Sequence, residues 1–147
     1  MSALDSLVEP SFAKDPPVKV NLDAKVIGIV LAILAGLGVL LGLLGLLGLF
    51  AVGAAFGRIL AFAFIGVIVG IVADIFCVMG GWRMYKGNAE GKRLAIYGLA
   101  LAFIAELVTI IGYGFGAGAL IQLIVLALFY YAVVVSRFSP EAGVQTP

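Results

Sequence analysis

This sequence contains no histidine and a single cysteine, Cys77. Without histidine, the chain by itself excludes imidazole ligation of haem, histidine-based metal sites and histidine-dependent catalytic triads. One cysteine excludes an internal disulfide and paired redox thiols, so Cys77 is interpreted as a small hydrophobic residue within a helix. The sequence therefore predicts no metal site, no cofactor and no catalytic residue, that is, a protein that is not an enzyme.

Charged residues are also scarce, at 12% of the 147 residues, whereas 64% are hydrophobic and the mean hydropathy is +1.25. A net charge of +1 is too small for a nucleic-acid-binding surface, and the basic residues lie beside apolar runs. Such a composition is typical of an integral membrane protein. We expect a lipid bilayer around the chain and no nucleic acid as a partner.

Four apolar runs are each long enough to cross a bilayer as a helix, which takes about 20 residues. They lack the alternation of barrel strands, and in lipid only helices or closed barrels satisfy the hydrogen bonds of the backbone. The sequence predicts an all-α integral membrane protein, a four-transmembrane-helix bundle within residues 26–136. The predicted helices cover residues 26–53, 59–82, 94–113 and 117–135.

Lysine and arginine predict the orientation, because short basic loops stay on the cytoplasmic side. They precede the first run, fill the loop after the second and follow the fourth, whereas the other two loops contain only Arg58. These basic residues are Lys14, Lys19, Lys25, Arg83, Lys86, Lys92, Arg93 and Arg137. The sequence therefore predicts cytoplasmic N and C termini in a multi-pass protein of the inner (plasma) membrane.

The segments outside the helices are short. Residues 1–25 form a cytoplasmic segment that fits either a short amphipathic turn or a disordered tail. The apolar side of the turn would consist of Leu4, Leu7, Val8 and Phe12. Asn21 or Asp23 is expected to cap the first long helix. Residues 137–147 are rich in turn formers and are expected to be a disordered cytoplasmic tail.

Glycine is frequent in the apolar runs, often as pairs four residues apart. Such Gly-x-x-x-Gly pairs let another helix approach closely in lipid, where dispersion contacts replace the hydrophobic effect. The pairs are Gly38 with Gly42, Gly53 with Gly57, and Gly66 with Gly70. They fit ordinary packing within the bundle or a dedicated interface between subunits.

Two carboxylates, Asp74 and Glu106, lie inside predicted transmembrane helices. A charged carboxylate at the centre of a bilayer costs about 3 kcal/mol on insertion scales, so it marks a functional site by default. Treating consecutive helices as antiparallel hairpins places Asp74 level with Gly38 and Gly42, and Glu106 close to Gln122.

Three interpretations of the two acids remain open at this stage. They are interhelical hydrogen bonds, proton or cation handling, and pairing with another subunit. For the first, Tyr97 and Tyr130 or Tyr131 are candidate donors to Asp74, and Gln122 is the candidate partner of Glu106.

Aromatic and basic residues cluster at the end of the second predicted helix. Trp82, Arg83 and Tyr85 are typical of an anchor at the membrane surface. In the loop that follows, Lys86, Lys92 and Arg93 are expected to contact anionic lipid headgroups.

Together these features predict a non-catalytic accessory or assembly subunit, packed by glycine-lined helices into a larger membrane complex. Its partners would be other membrane subunits or further copies of the chain. The alternative is a small proton- or cation-coupled transporter or channel component that uses Asp74 and Glu106.

Overall fold

The computed structural model describes residues 3–18, 20–52 and 57–139, with the side chains of residues 52 and 57–59 left undescribed. Within these ranges the chain is helical, without β-strands apart from an isolated bridge between Asp23 and Arg137. The helices are α1 (Ala3–Val8), α2 (Ala24–Val52), α3 (Gly57–Tyr85), α4 (Glu90–Tyr113) and α5 (Ala117–Val135), with a 3-10 turn at Ser11–Ala13. The four apolar helices are confirmed, because α2 to α5 are each long and apolar enough to cross a membrane.

The loop between α3 and α4 is shorter than predicted. It spans residues 86–89, because Gly87 adopts a positive φ of 82° and the Asn88 side chain accepts a 2.9 Å hydrogen bond from the Glu90 N–H. Both helices therefore extend further toward the turn than the apolar runs do. Lys92 and Arg93, which were expected in the loop, lie in the first turns of α4.

Two predicted features fall partly or wholly outside the described residues. The predicted end of the first helix at Gly53 lies outside them, and the pair of Gly53 and Gly57 is described only at Gly57, where α3 begins. The predicted disordered tail lies outside them from residue 140 onward.

Helix α3 occupies the centre of the arrangement, with α2 packed on one side and α4 on the other. Glycine permits close contact on both sides. A Cβ on Gly81 would lie 2.9 Å from the backbone nitrogen of Ala32 in α2, and one on Gly80 would lie 2.7 Å from the Cα of Ala95 in α4. The three helices therefore meet backbone to backbone, the mode of packing that small residues permit in lipid.

Helix α5 is held mainly at its C-terminal end. Its buried residues are Val133, Val134 and Val135, all in the last turn. There Val133 and Val134 join a core cluster that includes the fully buried Met84 of α3 and Ile96 of α4. The helices thus close around a common core at one end, while α5 is half-buried or exposed over the rest of its length.

The N-terminal segment, residues 3–18, folds onto this closed end. The ring of Phe12 stacks on Tyr131 at a centroid distance of 6.0 Å and meets Tyr130 edge-on at 6.3 Å. Tyr130 donates a 2.8 Å hydrogen bond to the carbonyl of Leu7, and Tyr131 donates a 3.0 Å bond to that of Val18. Residues 3–18 thus form a short helix and a 3-10 turn that pack against the end of α5.

The start of α2 is fixed by a side-chain cap and by hydrogen bonds to the segment that follows α5. The Asp23 carboxylate accepts a 2.8 Å hydrogen bond from the Lys25 N–H, which confirms Asp23 as the capping residue. The Arg137 N–H donates to the Leu22 carbonyl, and the Ala24 N–H donates to the Arg137 carbonyl, each at 2.9 Å. The segment leading into α2 and the segment leaving α5 therefore lie side by side.

Candidate functional site: the intramembrane carboxylates

Asp74 lies on α3 and faces α2 at Gly38. A Cβ built on Gly38 would lie 2.8 Å from Asp74 Cγ, closer than real side-chain carbons come. The missing side chain of Gly38 thus makes the space that the carboxylate occupies. The hairpin register predicted this level, and the structure shows the two residues in contact.

The surroundings of Asp74 are apolar. One helical turn away, a Cβ on Gly42 would lie 2.6 Å from Ile71 Cγ1, and on α3 itself the flanking Ala73 and Cys77 are buried. The carboxylate is half-buried, and within the described part of the chain it forms no hydrogen bond or ion pair. Asp74 is therefore a polar group in an apolar helix, and the described residues provide no hydrogen-bond or ion-pair partner for it.

The tyrosines proposed as donors to Asp74 have other positions. Tyr130 and Tyr131 donate their hydroxyl hydrogens to backbone carbonyls of the N-terminal segment, so the expectation that either reaches Asp74 is wrong. Tyr97 is half-buried on α4, and its hydroxyl has no hydrogen-bond partner among the described residues. The hairpin prediction compared the long helices alone. It therefore did not include the carbonyls of Leu7 and Val18, which accept the tyrosine hydrogen bonds.

Glu106 and Gln122 are not paired. Glu106 is half-buried on α4, Gln122 is exposed on α5, and no hydrogen bond joins them. The physical reason is that the buried residues of α5 all lie in its last turn, far along the chain from Gln122. The nearby hydroxyl of Thr109 donates instead to the Ala105 carbonyl of its own helix at 2.9 Å.

The predicted packing glycines divide into two kinds. Gly38 and Gly42 lie against α3, and Gly66 lies against α4, where a Cβ would come within 2.8 Å of the Thr109 hydroxyl oxygen. Gly70, in contrast, has no neighbour within 4 Å of the position a Cβ would take. Three glycines of α2 likewise have no neighbour within 4 Å of the position a Cβ would take, namely Gly36, Gly45 and Gly48.

The predicted surface anchor forms a cluster at the end of α3. The rings of Trp82 and Tyr85 lie 5.7 Å apart, and the Lys86 ammonium sits 5.4 Å from the centroid of the Trp82 ring. This distance is within the range of a cation–π interaction. All three residues are exposed, as is the neighbouring Arg83.

Lys92 has a structural role that the sequence does not predict. Its ammonium donates hydrogen bonds to the carbonyls of Val134 at 3.1 Å and Ser136 at 2.7 Å. These carbonyls belong to the end of α5, where a helix has no partners of its own for its last acceptors and where a cation is favoured. No local pattern could reveal a bond between residues 42 and 44 positions apart.

Chemically, the two carboxylates are separate groups with different surroundings. Within the described ranges, no cluster of three or more potential metal ligands among histidine, cysteine, aspartate and glutamate occurs. Each acid can take up or release a proton, or bind a donor or cation that comes from outside the chain. No protein-family model, no curated protein and no solved structure matches this chain.

Proposed function

We propose that this protein is a non-catalytic accessory or assembly subunit that packs against other membrane subunits, or against copies of itself, through open helix faces. The observation that carries the proposal is the open space beside those glycines of α2 that do not pack against α3. Gly45 and Gly48 leave space that no part of the described chain fills. In lipid, small residues at such positions allow another helix backbone to approach closely.

The neighbouring side chains support the same surface. Leu41 and Leu44 of α2 are each more than 60% exposed, and the helical period places them on the same side of α2 as Gly45 and Gly48. A partner helix seated there would gain dispersion contacts with both the glycine backbone and the leucines. By contrast, Gly38 and Gly42 already serve the packing of α2 on α3.

The test introduces bulk at each kind of glycine. Gly45→Leu and Gly48→Leu should reduce the size of the complex purified in mild detergent, while the thermal stability of the chain stays unchanged because the space is open within it. Gly38→Leu should lower the thermal stability itself. Gly118→Leu is the control: it adds the same bulk at an open position on a different helix, α5, and should leave the size of the complex unchanged. A complex of unchanged size with leucine at both 45 and 48 would overturn the proposal.

We also propose the inner (plasma) membrane as the location, with both termini cytoplasmic. Support comes from the arrangement of the basic segments at one end of the helices. The Arg137 backbone bonds to that of Ala24, and a Cβ on Gly87 would lie 3.6 Å from Lys25 Cε. Segments that carry most of the lysine and arginine thus share one end, as expected for the cytoplasmic side.

A second candidate function is proton- or cation-coupled transport, and the unsatisfied carboxylate of Asp74 favours it. A polar group in a membrane without a partner in its own chain either binds an ion or meets a donor from another subunit. In proteoliposomes, transport predicts a proton flux that Asp74→Asn abolishes without lowering thermal stability. Asn retains hydrogen-bonding capacity but cannot exchange a proton near neutral pH.

The same variant distinguishes the two candidates. If Asp74 pairs with a donor on a partner subunit, Asp74→Asn should keep the complex intact and Asp74→Leu should weaken it. Absence of flux in the wild type would reject the transport function. Loss of an existing flux in Asp74→Asn would make transport the leading function.

A further inference from the structure

A polar pocket lies between the N-terminal segment and the end of α5, apart from the carboxylates discussed above. We propose that it binds the headgroup of an anionic phospholipid. Its volume of about 550 Å³ falls within the range of about 300 to 1,000 Å³ that is usual for small-molecule sites. Its lining includes Lys14, Asp15, Val135 and Arg137.

The walls of the pocket are held by contacts on both sides. The backbone of Arg137 is bonded in both directions to the segment before α2, through Leu22 and Ala24. The N-terminal segment is held by the stacking of Phe12 on Tyr131 and by the bond from Tyr131 to the Val18 carbonyl. The pocket is therefore formed before any ligand arrives, which reduces the entropy cost of binding.

The charges of the lining fit one phosphodiester group. Lys14 and Arg137 are exposed, and within the described part of the chain neither side chain forms a hydrogen bond or an ion pair. With Asp15, the lining carries a net charge of +1 (two cations and one anion), which equals the charge needed to neutralise a phosphodiester. Arginine also matches the geometry of phosphate oxygens with its planar fork of donors.

Lys92, which is not part of the lining, adds a third positive charge near the pocket. The Lys92 ammonium is bonded to the carbonyl of Ser136, the residue next to Arg137. Because its hydrogen bonds are to neutral carbonyls, its charge is not cancelled by an acid there. Its charge also offsets the negative partial charge of the carbonyls that end α5, so those carbonyls oppose a bound anion less.

The position of the pocket selects a lipid over a free phosphate. Val135, the last residue of the apolar helix α5, lines the pocket. A headgroup bound here would therefore sit where a spanning helix reaches the membrane surface, with its acyl chains free to lie along exposed apolar residues of α5. Those residues include Val125 and Leu128, which are exposed on that helix.

The experiment measures lipid binding to the delipidated full chain by native mass spectrometry. Phosphatidylglycerol should form a one-lipid adduct more tightly than phosphatidylcholine does. Arg137→Gln and Lys14→Gln should each weaken that adduct about five-fold, which corresponds to the loss of one basic residue near a lipid surface. Both changes spare the backbone bonds that form the pocket, and retained thermal stability will verify this.

Controls distinguish a built site from general attraction to a basic surface. Arg83→Gln removes an exposed cation of the surface anchor at the end of α3 and should weaken phosphatidylglycerol binding much less than Arg137→Gln does. Arg137→Lys should keep part of the affinity. Equal binding of the two lipids, or equal weakening by Arg83→Gln, would overturn the proposal. Inorganic phosphate that displaces the lipid at comparable concentration would also overturn it, in favour of a free anion site.

Discussion

The contact between α3 and α4 at Gly80 allows a sharp test of backbone-to-backbone packing. In Gly80→Ala the added Cβ would lie 2.7 Å from Ala95 Cα and 2.9 Å from Ala95 Cβ. No rotation of a flexible side chain relieves these contacts, since they involve the backbone and first side-chain carbon of Ala95. The two helices must therefore move apart, and overpacking of this kind costs about 1 to 3 kcal/mol.

Gly70→Ala is the matched control on the same helix. Its added Cβ meets no atom within 4 Å. Both substitutions gain the same intrinsic helix preference of alanine over glycine, about 1 kcal/mol in water, so that gain cancels when the two variants are compared. The free energy of unfolding of Gly80→Ala should therefore lie about 1 to 3 kcal/mol below that of Gly70→Ala.

The assay is reversible unfolding in mixed micelles, followed by circular dichroism, with the wild type and both variants measured together. Gly70→Ala should equal or exceed the wild type in stability. If the two variants differ by less than about 0.5 kcal/mol, the spread expected of surface changes, the close approach of α3 and α4 at Gly80 is refuted.

Three further predictions concern the ends of the helices. Lys92→Met should destabilise the chain by about 1.5 to 3 kcal/mol by removing charged hydrogen bonds from the end of α5, and hydrogen exchange at Val133–Ser136 should accelerate; unchanged exchange there would contradict the cap. Phe12→Ala should speed tryptic cleavage after Lys14, because ring contacts worth about 0.5 to 1.5 kcal/mol each are lost, whereas an unchanged rate would show that the hydrogen bonds alone hold the segment. Topology reporters after Phe138 and between residues 86 and 92 should report cytoplasm, and one at Gly114 the opposite side; a cytoplasmic signal at Gly114 would reject four crossings.

Much of this architecture is predictable because it depends on the local length and composition of each apolar run. Length and apolar composition alone identify α2 to α5, and antiparallel hairpin levels place Asp74 beside Gly38. Both inferences need only neighbouring helices and the rise per residue. The charged ends of α3 and α4 were less predictable, since helices continue past the apolar run until a turn residue such as Gly87 stops them.

The partners of polar side chains could not be predicted in the same way. Tyr130, Tyr131 and Lys92 all bond to backbone carbonyls, and every residue offers a backbone carbonyl, so the sequence carries no mark of which one is chosen. The pairing of Glu106 with Gln122 failed for a different reason. Hairpin levels assume helices that stay in contact along their length, whereas the buried residues of α5 all lie in its last turn and Gln122 is exposed.

The hydrogen bonds between the N-terminal segment, residues 3–18, and α5 also impose an order on folding. Tyr131 and Val18 are separated by 113 residues, and Tyr130 and Leu7 by 123. Residues 3–18 are synthesised before α5, yet their aromatic and hydrogen-bonding partners exist only after α5 has been made. This segment must therefore wait for α5 to reach its native contacts, and a chain truncated before α5 leaves it without a place to bind.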